Sequence, residues 1–193
     1  EKICGFVGDL TNMESSFIFK EFFDRTIGVK NYDFRSSYRF IENTERENYL
    51  FNSTINGIEE TDLIFLIGSN PRFEATILNA RIRKAYLNNN PKIISLNDVG
   101  DLTYPYEALD GSSKTIKEIF EGKNEYSKEI INAKKPLIIL GESFLELSSA
   151  EFLFFKIKNF LLSNKKINES WNSLNLISSD ASTVGNLDLD ILN

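Results

Sequence analysis

The sequence predicts an α/β fold: a Rossmann-like open, mainly parallel sheet with helices on both faces, plus a C-terminal extension. Three observations predict it. Apolar runs at "KICGFVG" (2–8), "DLIFLIG" (62–68) and "KPLIILG" (135–141) each end in glycine. Each is followed by a stretch with helical periodicity. The run at 62–68 is apolar at successive positions rather than alternating, as in a strand covered on both faces of a parallel sheet. The expected division is an α/β domain over residues 1–163 and an extended segment over 164–193 that packs on the domain or on a neighbour.

The elements follow in order. "KICGFVG" reads as a buried strand that carries Cys4 inward and ends in Gly-Asp. Asn12 is placed to cap a helix running to about Arg25, with Met13, Phe17, Phe22 and Phe23 near helical spacing. Residues 29–57 mix polar and aromatic types and read as irregular, with one short strand. "DLIFLIG", a helix over 73–87 and "KIISL" (92–96) form a βαβ unit, joined by a turn at Asn88-Asn89-Asn90-Pro91. "DLTYPYEALDGSS" (101–113) reads as a loop with two tyrosines around Pro105. Ser112 or Ser113 caps a short helix through Phe120, and a second helix lies near 126–133. After "KPLIILG", Ser148 or Ser149 caps or interrupts a long apolar helix that runs to about Leu162. Its Phe152, Phe154, Phe155 and Phe160 are spread around the helix, so it is expected to be covered on more than one side. Beyond Asn164 the chain is polar and weakly patterned, with Trp171 as its one large anchor.

Composition narrows the function classes. The 193 residues carry a net charge of -6, which argues against nucleic acid as the main partner. With 41% hydrophobic residues the chain can bury a core. No apolar run approaches the ~20 residues that a membrane span needs. A single cysteine rules out an internal disulfide and a Cys-rich metal or iron–sulfur site within these residues. The absence of histidine removes Ser-His-Asp and Cys-His mechanisms. Asn, Ile, Lys and Phe abound while Ala, Gly and Pro are sparse, which points to an A/T-rich gene such as an organelle gene. The chain opens on Glu1 with no leader-like pattern, so it is expected to be processed or cut from something longer.

The loop after the clearest strand is the candidate site. Gly68 stands where ligands bind in open parallel sheets, past a strand's carboxyl end. Glycine allows close backbone approach, and a following helix N-terminus offers free N–H groups to an anion. The plain alternative is a tight turn in which Gly68 relaxes the dihedral, Asn70 caps and Pro71 starts the helix. Arg72, Arg81, Arg83 and Lys84 follow. Arg81, Arg83 and Lys84 read as cations toward the helix C-terminus that complement its dipole, or the whole cluster reads as a docking face for an acidic neighbour. Tyr104, Tyr106 and Trp171 are further docking candidates.

Longer stretches carry a resemblance. "GSNPRFEATILNARIRKAYL" (68–87) resembles the largest peripheral-arm, iron–sulfur subunit of respiratory complex I, in its molybdopterin-oxidoreductase-like C-terminal part. "VGDL" with Glu14, "NSTINGIEETDLIFLIG", "DLTYPYEALDGSSKTIKEIFEGK", "AKKPLIILGESFLE" and "WNSLNLISSDASTVGNLDL" are similar to that family's segments in the same order. The resemblance implies a cluster-free structural part of NADH:ubiquinone oxidoreductase, with no catalysis of its own. Its partners would be other peripheral-arm subunits, above all a Cys-rich chain holding the iron–sulfur clusters. It would lie on the matrix side of the mitochondrial inner membrane, as a polypeptide separate from the cluster-bearing half. Molybdopterin enzymes of this fold use a Gly-x-Asn-Pro loop and a following carboxylate around the pterin nucleotide. Gly68, Ser69, Asn70, Pro71 and Glu74 match that pattern, but no Asp-Pro-Arg-like carboxylate follows the next strand and no metal-ligating Cys is present. The loop is therefore expected to be vestigial, without a cofactor, holding at most water or a small anion. Two other readings stay open: a formate-dehydrogenase-like molybdoenzyme fragment that keeps its cofactor, and a nucleotide-sensing module.

Overall fold

A computed structural model describes residues 3–8 and 10–192. In chain order the elements are β1 (Gly5–Phe6), α1 (Met13–Glu21), β2 (Tyr32–Asp33), β3 (Leu63–Ile67), α2 (Pro71–Glu74), α3 (Thr76–Asn89), β4 (Lys92–Leu96), β5 (Glu107–Leu109), α4 (Ser113–Phe120), α5 (Glu125–Asn132), β6 (Pro136–Leu140), α6 (Glu142–Leu145), α7 (Ala150–Ser163), β7 (Ile167–Asn168), β8 (Trp171–Asn172), β9 (Leu174–Leu176) and α8 (Thr183–Asp188). The chain forms two compact units: Phe40–Ile177, and the residues on either side of it. The boundary expected at 163/164 is therefore not the division seen. The tail supplies β9 to the large unit and α8 to the small one.

The large unit is a five-stranded sheet in the order β5-β4-β3-β6-β9, and every neighbouring pair is parallel. Counted along the chain within this sheet, the order is 3-2-1-4-5, the doubly wound arrangement. The strand at 63–67 is apolar throughout because both of its faces are covered. Leu63, Phe65 and Ile67 join one core with Ile116, Ile119, Phe154, Ile157 and Leu161. Ile64 and Leu66 join a second core with Ile82, Ala85, Leu102 and Trp171. Thus α4, α5 and α7 cover one face, and α3 covers the other.

Local chemistry sets the helix starts. Ser112 accepts from the Thr115 N–H and Asn124 from the Tyr126 N–H, each cap stabilising its helix by about 1 kcal/mol. The long helix α7 buries Leu153, Phe154, Ile157 and Leu161 along one stripe. Phe152 and Phe155 point outward, and Lys156 and Lys117 place their ammonium groups over the Phe152 ring at 5.4 and 5.9 Å.

The expected single helix over 73–87 is instead two. The chain breaks at Ala75, whose φ and ψ of -150° and 69° are not helical, and α3 then runs on to Asn89. β5 arises inside the stretch read as a loop, as a short edge strand with exposed residues.

The small unit holds the two-stranded parallel sheet β1–β2, α1 and α8. The Asn12 side chain accepts from the Ser15 N–H at 2.9 Å, as expected for the cap of α1. The helix continues as a wider turn over Phe22–Ile27. Phe19, Phe23 and Tyr32 stack as an aromatic cluster. Arg39, only 4% exposed, pairs with Asp180 at 2.7 Å. The strand expected over 2–8 is reduced to two residues, and Cys4 is exposed rather than buried. Lys2, at the start of that expected strand, and Asp9, just past its end, lie outside the described residues.

Candidate functional site

Strand order reverses between β3 and β6, so the crevice past their carboxyl ends is where a doubly wound sheet binds ligands. Gly68 follows one strand and Gly141 the other. The Gly141 N–H donates to the Ile67 carbonyl at 3.0 Å, which ties the two exits together. Gly68 has φ +61°, and a Cβ placed there would lie 2.4 Å from the Phe144 backbone nitrogen. A Cβ on Gly141 would lie 2.4 Å from the Gly68 carbonyl oxygen and 2.6 Å from the Ser69 Cβ. Both glycines serve loop-on-loop packing. The space that glycine leaves open is filled by the α6 turn, in which Phe144 is 1% exposed.

The rest of the loop is turned inward too. The Asn70 N–H donates to Glu74 Oε1 at 2.9 Å, and its Nδ2 donates to the Val99 carbonyl at 3.0 Å. Asn70 stands at the cap position, yet its side chain makes no cap bond. Its backbone carbonyl instead accepts from the Phe73 and Glu74 N–H groups. Pro71 is buried at the first helical position, as expected.

The polar atoms left over at the loop are Ser69 Oγ, Asn70 Oδ1 and Glu74 Oε2, all buried without a hydrogen-bond partner. Two of the three can only accept, and one belongs to a carboxylate. Such a set repels a phosphate or another anion, and α2, a single four-residue turn, offers no extended dipole to offset it. The residues at this loop therefore do not fit the diphosphate of a pterin nucleotide, and of the expected alternatives of an empty loop, water or a small anion, the anion does not fit either. Among the described residues no group of three His, Cys, Asp or Glu side chains could hold a metal ion.

The docking candidates fare differently from one another. Arg72 Nη1 donates to both the carbonyl and the Oδ2 of Asp101 at 2.6 Å. Arg81 and Lys84 converge on Glu59, with Lys84 2.8 Å from Oε2. The Lys84 ammonium, then the Arg81 guanidinium, holds the Glu59 carboxyl below its ordinary range. Arg83 is exposed, and its charge acts on Asp101. Because α3 continues to Asn89, Arg81, Arg83 and Lys84 do not stand in its last turn, so the dipole role expected for them does not apply.

Tyr104 is buried rather than exposed. Its hydroxyl donates to Asn79 Oδ1 at 2.8 Å, and burial pushes its phenol well above the ordinary range. The Tyr106 hydroxyl donates to Asp98 Oδ1 at 2.6 Å, shares that proton with the Gly100 carbonyl at 2.9 Å, and accepts from the Val99 N–H. The bond from Tyr106, with the Gly100 N–H, lowers the Asp98 carboxyl. Trp171 belongs to the second core, its Nε1 donating to the Pro136 carbonyl at 2.9 Å. Of the seven docking candidates, Tyr104 and Trp171 are therefore structural.

Sequence reasoning missed Glu59, which collects the two cations, and Phe144, which closes the crevice. The glycine after β6 was the available signal, since a second strand-then-glycine exit at the switch point has to pack against the first.

Comparison with known proteins adds the lineage. A family model described as molybdopterin oxidoreductase matches residues 1–192. The NADH-ubiquinone oxidoreductase 75 kDa subunit of Reclinomonas americana is 35% identical over 202 residues, covering 98% of this chain and 29% of that protein. The mitochondrial NADH-ubiquinone oxidoreductase 78 kDa subunit of Candida albicans is 39% identical over 145 residues, covering 75% of this chain and 20% of that protein. The mitochondrial NADH dehydrogenase (ubiquinone) iron-sulfur protein 1 of Solanum tuberosum is 30% identical over 192 residues, covering 100% of this chain and 26% of that protein. The chain thus spans less than a third of the length of the relatives it matches.

Proposed function

The chain belongs to the molybdopterin oxidoreductase family, and from that premise we propose that it is the cluster-free structural part of the peripheral arm of NADH:ubiquinone oxidoreductase. It binds no pterin. It buttresses a Cys-rich chain whose iron–sulfur clusters carry electrons from NADH toward quinone. Its contribution to the reaction is positional, because electron transfer depends on clusters being held close and fixed. Its place is the matrix side of the mitochondrial inner membrane, alongside other peripheral-arm subunits.

The observation that carries this reading is the similarity over nearly the whole chain to relatives named for NADH-ubiquinone oxidoreductase and NADH dehydrogenase. The closed Gly68 loop supports it, since the family's cofactor would have to enter where Phe144 already packs and where the uncommitted atoms are acceptors. A formate-dehydrogenase-like fragment would need that same loop open.

The polypeptide content of the native assembly tests the proposal. The chain, recovered from mitochondrial membranes in mild detergent, is expected to bring down a separate Cys-rich iron–sulfur polypeptide and NADH:quinone reductase activity. Recovery as a single longer polypeptide carrying the cluster motifs would remove the split. Recovery with formate dehydrogenase activity and no NADH oxidation would remove the assignment.

A further inference from the structure

We propose that the outward face of α1 is the surface on which the cluster-bearing polypeptide docks. The helix is apolar on two sides. Ser16 and Phe23 are buried on the inward side, where the Phe19 and Phe23 rings pack against Tyr32. Met13, Phe17 and Ile18 fall within an arc of about 140° on the opposite side. They are 49%, 51% and 66% exposed. Leu189, half-buried just past α8, joins them around an open groove of about 530 Å³ that lies wholly within the small unit. A surface helix confines its apolar residues to the stripe that faces its core. A second stripe on the far side belongs to a helix covered from both sides. Exposed apolar residues gathered in one patch mark an interaction surface.

Length and charge point to the occupant. The chain spans 29%, 20% and 26% of the three relatives named above, so most of the polypeptide in those proteins lies beyond the part it matches. A face that such a remainder covers is bare when this part stands alone. An anionic membrane does not suit the same face, because a helix lying on anionic lipid presents several Lys or Arg. Among the described residues on this side of the helix the charges are Glu14, Glu21 and Arg25, and Arg25 is already paired with Glu21 at 2.7 Å. What fits is a protein surface that lays an apolar ridge into the groove. The occupant rests on the assignment to NADH:ubiquinone oxidoreductase, whereas the face rests on the geometry of the small unit alone.

Met13 is the one methionine of the chain and stands inside the patch, so its oxidation to the sulfoxide reports this face without any substitution. Dilute peroxide is expected to oxidise Met13 at least tenfold more slowly in the native assembly than in the isolated 193-residue chain. Equal rates would overturn the proposal. Ile18→Glu, which puts a carboxylate into the apolar contact, is expected to lower the iron recovered per mole of this chain tenfold or more. The Tm of the isolated variant chain is expected to stay within about 2 °C of the parent, as for a surface change. Leu87→Glu is the control: Leu87 is 69% exposed but lies on α3 of the large unit, and iron is expected to be retained. Full iron with Ile18→Glu would overturn the docking face and leave the assignment standing. No iron with the parent chain would overturn the assignment and the occupant together. An isolated chain that sediments as a dimer and already protects Met13 would give the face to a second copy and overturn the occupant alone.

Discussion

Gly68→Ala puts the closed crevice to a quantitative test. Two costs follow from the structure. An L-residue at φ +61° sits in the left-handed region, which costs about 1–2 kcal/mol. The new Cβ would also stand 2.4 Å from the Phe144 backbone nitrogen, and backbone cannot swing aside as a side-chain tip can. Forcing the α6 turn to move adds about 1–3 kcal/mol, the scale of overpacking in a filled interior. Alanine returns about 0.4–1 kcal/mol by restricting the unfolded chain. The net loss is about 1–5 kcal/mol, a large share of the ~5–15 kcal/mol that holds a domain folded. Urea unfolding followed by the fluorescence of Trp171, the one tryptophan, reads the large unit directly. The midpoint is expected to fall by about 0.5–2.5 M with the slope unchanged. Gly122→Ala is the control, since Gly122 has φ +78° and nothing within 4 Å of where a Cβ would stand, so only the conformational cost remains. If Gly68→Ala costs no more than Gly122→Ala, the crevice has room, and loop packing does not stand in for a ligand.

Four further outcomes follow from the same geometry. Tyr104→Phe strands the Asn79 acceptor, and it is expected to cost about 1–3 kcal/mol in the same unfolding assay. The raised Tyr104 phenol stabilises the fold fully below the unfolded value near 10 and loses that contribution as pH climbs above it, so Tyr104→Phe is expected to flatten the alkaline limb of stability against pH. Glu59 shows the opposite sign: its lowered carboxyl contributes above the ordinary value of 4.5 and loses that contribution as pH falls through the folded value, so Glu59→Gln is expected to blunt the acid limb of the same profile. Cys4 is exposed, and a thiol reagent is expected to titrate one equivalent in the native chain at the rate seen in denaturant; slow, denaturant-dependent labelling would contradict its exposure.

The parts of the fold legible in the sequence are those whose burial is written into consecutive residues. β3, β4 and β6 are continuous apolar runs because sheet and helices cover both faces, and nothing beyond the run is needed to see them. β5 and β9 are legible only from their neighbours. Glu107–Leu109 is a half-exposed edge that exists because β4 offers it a ladder, and Leu174–Leu176 is three residues in a polar tail that pair with β6. The Gly68 loop shows the same limit at the site. Its residue types announce a strand exit and a helix start. What its polar atoms do depends on the Val99 carbonyl, 29 positions away, and on Phe144, which no local pattern connects to it. Tyr104 and Trp171 misled for a related reason. Each lies in a polar, turn-rich stretch that reads as surface, while the side chain itself points into a core assembled from other elements.

The cofactor content of the native assembly tests the central claim most directly. Molybdenum, tungsten and extractable pterin, measured per mole of this chain alongside iron, separate a structural member of the family from a working molybdoenzyme. Iron from the companion's clusters is expected, with pterin and both heavier metals far below one equivalent. A stoichiometric pterin, with molybdenum or tungsten to match, would contradict the structural role.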